Sequence, residues 1–445
     1  MTKWLMVFCC AASLCGQGQN VNGNWTGAIT LAGRTLNFRV HLDANSGTWE
    51  SVDQSATAPV KSVQVKGRAV EVGLGVASFE GQLDTAGEKI EGSFKQGTIA
   101  VPLTLKRFTG KFVAARRPQD PVPPYPYASE DVTIVSAGDI KLAGTLTMPK
   151  AGGPFPGVLL ISGSGAQDRD EALLGHRPFL VLSDYLTRAG FAVLRLDDRG
   201  TGKSSGVFAT TSYADKVADV LAAVRYVKGR KDVDAARIGL IGHSEGASIG
   251  PMAAAESRDI AYVVMLAGIG VKGADVLKQQ GIDSTRAAGG TEAQVASQVE
   301  IQAKLLAIYR EAKSPEAARE QARQFLGAGP RAEGQIQMME SATIRDLLAF
   351  DPAPVLRKLS VPVLAMNGSL DVQVSAKQNL PAIASALAAS ASKDWQVTAL
   401  SGLNHLFQSA KTGGFAEYAE IQETIAPLAL RTLNAWLTER FLIQK

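Results

Sequence analysis

The sequence predicts two folded parts, a small all-β antiparallel barrel or sandwich followed by a larger α/β domain on a parallel sheet. Three observations carry this prediction. Period-two apolar runs extend to about residue 107, a proline-rich break follows, and beyond it continuous apolar runs alternate with helical-period stretches. At 445 residues the chain also exceeds what one hydrophobic core ordinarily organises. Hydrophobic residues make up 46% and charged residues 20%, as in globular proteins. The net charge of +4 is scattered, with no lysine or arginine run able to track a phosphate backbone, so no nucleic-acid partner is expected.

The first residues read as an export signal. Lys3 supplies a positive start, Trp4 to Leu14 is an uncharged apolar run, and Cys15-Gly16-Gln17-Gly18-Gln19-Asn20 is small and polar. A signal peptide is therefore expected over residues 1–19, cleaved near Gly16 to Gln19, leaving an exported (periplasmic or extracellular) protein. The apolar run is about half of the ~20 residues a spanning helix needs, and no integral membrane segment is expected in the mature chain. A lipid-modified Cys15 is a weaker expectation, because Ala12-Ser13-Leu14 lacks a small residue beside the cysteine. Cys9, Cys10 and Cys15 are the three cysteines, so cleavage leaves no thiol for disulfides, nucleophilic attack or metal binding.

Residues 20–110 are expected to form the β-module. Eight runs alternate: Trp25 to Leu31, Thr35 to Leu42, Gly47 to Val52, Lys61 to Val65, Ala69 to Leu74, Ala77 to Leu83, Lys89 to Phe94 and Ile99 to Leu105. Period two gives each strand one apolar face, and Asn22-Gly23, Ala32-Gly33, Asn45-Ser46-Gly47 and Ala86-Gly87 supply turns. The pattern is lipocalin-like, and nothing in it looks catalytic. Residues 111–129 hold five prolines between Pro118 and Pro126 and read as an extended polyproline linker.

The α/β domain is expected over residues 130–445. It opens with a hairpin, Asp131 to Met148, turning at Ala137-Gly138-Asp139. Core strands follow at Gly157 to Ser162, Phe191 to Leu196, Ile238 to Ile241, Tyr262 to Leu266 and Val361 to Met366, with Trp395 to Leu400 less uniform. Continuous apolar strands separated by helices such as Pro178 to Arg188 and Tyr213 to Lys228 mean a parallel sheet covered on both faces. Between Leu266 and Val361 the alternation is interrupted by a helical insertion, about residues 272–350, including Thr291 to Ala312 and Pro315 to Leu326. Val295, Val299, Leu306 and Tyr309 share one face of it, and its place after a core strand suits a lid.

The chemistry gathers at strand ends. Gly242-His243-Ser244-Glu245-Gly246 fits G-x-S-x-G between an apolar strand and a small-residue helix, the context that lifts a serine hydroxyl into a cleft. There the Glu245 amide starts a helix and can stabilise an oxyanion. Of four histidines, His41 lies in the β-module, His243 is too locally constrained to serve its neighbour, and His176 precedes a helix. His405, on a loop after the last strand, is left as the base. The acid should follow a strand between them, which places Asp371 in Asn367-Gly368-Ser369-Leu370-Asp371-Val372-Gln373-Val374. Asp351 is the rival, but stands before a strand. The second oxyanion donor should come from Ser162-Gly163-Ser164-Gly165, as the Ser164 or Gly165 amide. That loop does not complete G-x-G-x-x-G, and Asp197-Asp198-Arg199-Gly200-Thr201-Gly202-Lys203-Ser204-Ser205 lacks Walker spacing, so its charges are expected to buttress neighbouring loops. No two histidines are closely spaced, and neither a metal nor a cofactor is expected.

With these residues assembled, residues 130–445 resemble an EstD-type carboxylesterase, a group of the α/β-hydrolase superfamily, related to serine aminopeptidase-like hydrolase domains. The resemblance rests on Gly163-Ser164-Gly165-Ala166-Gln167-Asp168-Arg169-Asp170-Glu171, on Asp198-Arg199-Gly200-Thr201-Gly202-Lys203-Ser204, on the elbow, and on Asn367 to Val374. It implies an α/β-hydrolase fold with a helical lid insertion, a triad of Ser244, Asp371 and His405, and an oxyanion hole of the Ser164 and Glu245 amides. It also implies hydrolysis of short- to medium-chain acyl esters through an acyl-enzyme. One departure is Ser162, where the wider superfamily commonly has a histidine, which puts the rigidity of that loop in question. Alternatives are a serine peptidase on the same fold, an acyltransferase, and a non-catalytic lipid- or glycan-binding protein. The expected partner is a small-molecule ester; oligomeric state is left open.

Overall fold

The computed structural model describes residues 20–443 except 32–33, 52–55, 76, 97–98, 111–116 and 328. The stretch read as a signal peptide, 1–19, lies outside the described residues. The chain divides into two compact units, Met1–Ala114 and Ala115–Lys445. This boundary precedes the prolines. Residues 117–129 belong with the second unit, because Arg117, Gln119 and Asp120 send their side chains into hydrogen bonds there. The boundary thus falls within the stretch read as a proline-rich linker, 111–129.

The first unit is an antiparallel meander. Its strands are β1 (Gly23–Leu31), β2 (Arg34–Leu42), β3 (Gly47–Ser51), β4 (Ala56–Val60), β5 (Ser62–Lys66), β6 (Ala69–Gly73), β7 (Ala77–Leu83), β8 (Lys89–Gln96) and β9 (Ile99–Phe108). They pair in the order β4-β3-β2-β1-β9-β8-β7-β6-β5. Every neighbouring pair is antiparallel, so the two ends, β4 and β5, run in the same direction, and only Lys61 separates them. They act as one bent strand that leaves β3 and takes up β6, which nearly closes the sheet. This explains why eight runs were legible where nine strands form. Ala-Thr-Ala-Pro-Val has weak strand character, and its Pro59 is tolerated because β4 is an edge. The centre is filled by Phe38, Trp49, Phe79 and Phe94, with ring centroids 5.5 to 5.8 Å apart.

The second unit carries a mixed sheet. Its strands are β10 (Ala128–Val135), β11 (Lys141–Met148), β12 (Phe155–Ile161), β13 (Ala192–Leu196), β14 (Val233–His243), β15 (Tyr262–Leu266), β16 (Val363–Gly368) and β17 (Trp395–Leu400). The order is β10-β11-β13-β12-β14-β15-β16-β17. β12 to β17 are parallel, and the β10–β11 hairpin adds to one edge through an antiparallel β11–β13 pair. The sequence shows the hairpin but not that it extends this sheet. β17 reads unevenly because it is the other edge and Trp395 is exposed.

Continuous apolar runs are explained by two covered faces. Along β12, Val158 and Leu160 face the core that holds α1 (Pro178–Ala189) and α12 (Pro427–Phe441). Leu159 and Ile161 face the opposite core with α2 (Tyr213–Lys228), α3 (Gly246–Glu256) and α10 (Ala376–Ala388). The chain leaves β12 toward β13 on one side and returns to β14 on the other. That reversal opens a crevice beyond the carboxyl ends of the strands, where ligands of such sheets bind. Between β15 and β16 stand α4 (Gly273–Ala287), α5 (Glu292–Glu311), α6 (Pro315–Leu326), α7 (Pro330–Glu340), α8 (Ala342–Ala349) and α9 (Pro352–Arg357). No helix among the described residues is long and apolar enough to cross a membrane.

Candidate active site

Ser244 occupies the turn between β14 and α3 with φ of 54°, a left-handed conformation that costs a side-chain-bearing residue about 1–2 kcal/mol. Close packing holds it there. The Ser244 amide donates to the Leu266 carbonyl (2.8 Å), tying the turn to β15. A Cβ on Gly242 would collide with the Gly246 carbonyl, and one on Gly246 with the Ile161 carbonyl, so neither position admits a larger residue. The Glu245 amide is left outside the backbone hydrogen bonds of the described residues, at the start of α3.

The loop after β12 comes up beside the serine. A Cβ on Gly163 would lie 3.4 Å from Ser244 Cβ, which puts the Ser164 amide next to the elbow. Two carboxylates fasten this loop. Ser162 Oγ donates to Asp198 Oδ1 (2.6 Å), and the Gln167 amide donates to Asp198 Oδ2 (3.1 Å). The Gly163 amide donates to Glu171 Oε1 (2.7 Å). Ser162 therefore anchors the loop to Asp198. The neighbouring Asp197 pairs with Arg169 Nη2 (2.8 Å), so these charges brace loops.

Asp371 and His405 follow β16 and β17. His405 Nδ1 donates to Asp371 Oδ2 (2.8 Å), and Asp371 Oδ1 accepts from the amides of Gln373 and Val374 (2.8 Å each). Both side chains are buried, so the carboxylate can fix the ring's tautomer and stabilise its charged form. Ser244 Oγ makes no hydrogen bond among the described residues, and catalytic contacts are often long before substrate binds. Asp351 caps α9, accepting from the Ala353 amide. His41 contacts Asn24 within the first unit.

Sequence reasoning missed the part played by His243. Its Nε2 faces the His405 carbonyl (3.0 Å), which can only accept, so Nε2 carries a proton. Its Nδ1 faces Glu171 Oε1 (2.8 Å), which already accepts from Gly163, so Nδ1 donates too. Burial opposes the charged ring, but Glu171 outweighs it and holds His243 above its ordinary value. The His243–Glu171 pair thus ties the Ser162–Gly165 loop to the loop bearing His405, the His243 ring centroid 4.9 Å from that of His405. Glu171 and His243 both lie inside the quoted motifs, where they could have been flagged.

A cavity of about 430 Å³ opens on Ser244 and the Ser164–Gly165 loop. Apolar side chains dominate its walls: Ile269, Val276, Leu277, Val374 and, from α8, Ile344 and Leu347. Glu245 lies beside it, buried and paired with Lys216 Nζ. Burial pushes the Glu245 carboxyl up, and Lys216 offsets part of that. Lys216 carries no motif signal, since in sequence it is one more lysine on an amphipathic helix. Asp198 is pushed up to about 7, mainly by desolvation, with the Ser162 hydrogen bond opposing. Among the described residues no group of His, Cys, Asp or Glu is arranged to hold a metal ion.

Lys216→Met leaves Glu245 without its ion-pair partner beside Ser244, and should lower kcat about 10- to 100-fold. Adding Glu245→Gln should restore most of the loss, which steady-state kinetics on the two variants will read. Asp198 holds a proton in the folded protein between its ordinary 3.8 and about 7, where the unfolded chain has released it. Its contribution to stability therefore falls as pH rises through that window. Melting temperatures at pH 4.5 to 8 should show a shallower fall for Asp198→Asn than for the wild type.

Residues 138–401, a stretch containing Ser244 and Asp371, match the model of the X-Pro dipeptidyl-peptidase (S15) family. The chain is 30% identical over 291 residues to Esterase EstD of Thermotoga maritima, a match covering 64% of each chain. It thus spans less than two thirds of that curated relative's length. Among solved structures, the Pyrococcus furiosus esterase Pf2001 is similar at 16% identity and TM-score 0.47, covering 75% of this chain and 100% of that one. Est1E of Butyrivibrio proteoclasticus with ferulic acid bound is similar at 19% identity and TM-score 0.42, covering 70% and 100%. The family match extends over more than half of the chain, and the protein belongs to the X-Pro dipeptidyl-peptidase (S15) family.

Proposed function

We propose that this protein is an exported carboxylesterase that hydrolyses short- to medium-chain acyl esters through Ser244, Asp371 and His405. The observation that carries the reading is the buried His405–Asp371 hydrogen bond beside the strained Ser244 elbow, over an apolar cavity suited to an acyl chain. The relative bearing the name esterase adds support. His405 takes the Ser244 proton as Oγ attacks the ester carbonyl, and the Ser164 and Glu245 amides bind the oxyanion. His405 then protonates the leaving alcohol, and water activated by His405 releases the acid and frees Ser244. Export rests on the charge, apolar and small-residue order of residues 1–19.

The family match favours a second reading, cleavage of an amide by the same groups. Turnover of p-nitrophenyl butyrate against an aminoacyl-prolyl p-nitroanilide separates the two, with the ester expected to be the faster by far. Faster anilide cleavage would overturn the esterase assignment. Ser244→Ala should lower ester turnover about 10⁴-fold or more with an unchanged circular dichroism spectrum. The intact mass of the exported protein should lack the first 15 to 19 residues.

A further inference from the structure

We propose that residues 117–120 form a strap that positions His405, with Arg117 and Gln119 as positioning residues of the triad. The proposal rests on the function above only for the role it gives His405.

The strap's target is segment 418–426, which follows the His405 loop and has almost no regular structure beyond α11 (Phe415–Tyr418). Its backbone groups need partners from elsewhere. Gln119 supplies them as a strand edge would. Its Oε1 accepts from the amides of Thr424 and Ile425, and its Nε2 donates to the Ile425 carbonyl (2.8 Å), across 306 residues of sequence. Arg117 gathers three carbonyls. Its Nη2 donates to Ala419 (2.8 Å) and Leu174 (2.9 Å), and its Nη1 to Ile421 (3.2 Å). Buried Asp120 pins the strap, pairing with Arg177 Nη1 (3.3 Å) before α1.

The held segment in turn touches both catalytic loops. The Ala426 amide donates to the Phe407 carbonyl (2.8 Å), and fully buried Gln408 donates from Nε2 to the Glu423 carbonyl (3.3 Å). Those contacts lie two and three residues from His405. On the acid side, Gln373 Nε2 donates to the Tyr418 hydroxyl (3.1 Å), two residues from Asp371. His176 closes the assembly. Burial holds its pKa below the ordinary value, and its ring touches three groups of this assembly: Nε2 lies 2.9 Å from the Tyr418 carbonyl and 3.0 Å from Gln408 Nε2, and Nδ1 lies 3.0 Å from the Thr424 hydroxyl. A continuous run of hydrogen bonds thus leads from Gln119 to the flanks of His405 and Asp371.

The test uses the full chain with Gln119→Met, which keeps side-chain length but loses three hydrogen bonds, and Arg117→Met. Arg440→Met, which breaks an ion pair with Asp394 before β17, serves as a control for general destabilisation. Each is measured for kcat and KM on p-nitrophenyl butyrate, for the rate of fluorophosphonate labelling, and for melting temperature. We expect kcat and labelling rate of the strap variants to fall together by about tenfold or more, with KM within twofold. The control should keep both within twofold at a similar loss of melting temperature. Strap variants that retain kcat and labelling rate, or that change KM alone, would overturn the proposal. If Arg117→Met fails to fold, Gln119→Met carries the test. A wild type that labels but does not cleave the ester would sink the carboxylesterase reading instead, and labelling rate would still decide the strap.

Discussion

The left-handed turn at Ser244 is the constraint around which the second unit is organised. A serine does not hold φ of 54° unaided, and such strain persists only where the surroundings over-determine it. Here β15 accepts its amide, while β12 and the first turn of α3 press so close that Gly242 and Gly246 have no room for a side chain. The turn stands at the crevice created where the chain reverses direction across β12. Sheet order, glycine positions and helix start are thus one requirement seen three ways.

Buried charge is a second constraint on the site. Isolated, a buried carboxylate costs several kcal/mol, and each one near the elbow has a partner or a donor. Glu171 faces charged His243 and the Gly163 amide, Glu245 faces Lys216, and Asp371 faces His405 and two amides. These groups do more than avoid a penalty. Each joins two segments that sequence places apart, so electrostatics sets distances that strand geometry leaves free. Asp198 is the strained member, anchoring the loop after β12 while desolvation favours its protonated form.

What the sequence made legible was local. β14 and β16 show as apolar runs and β17 as a less uniform one, so Ser244, Asp371 and His405 could be singled out from the elbow motif, the choice among four histidines and the order of strand ends. β4 was not legible, because an Ala- and Pro-containing edge strand lacks the alternation that marks a half-buried one. Nor were Lys216, Arg117 and Gln119. Their partners lie 29 residues or more than 300 residues away, and nothing in a side chain's neighbours announces such a contact. The proline-rich stretch shows the same limit. Composition describes what its backbone avoids, but not which carbonyls its side chains will find.

The central claim is that Ser244 attacks and that the Ser164 and Glu245 amides receive the oxyanion. A crystal structure of the protein inactivated by a fluorophosphonate tests it most directly. Phosphorus should be bonded to Ser244 Oγ, with the non-bridging oxygen about 3 Å from both amides. Phosphorus on another residue, or an oxygen turned away from both amides toward solvent, would contradict the account.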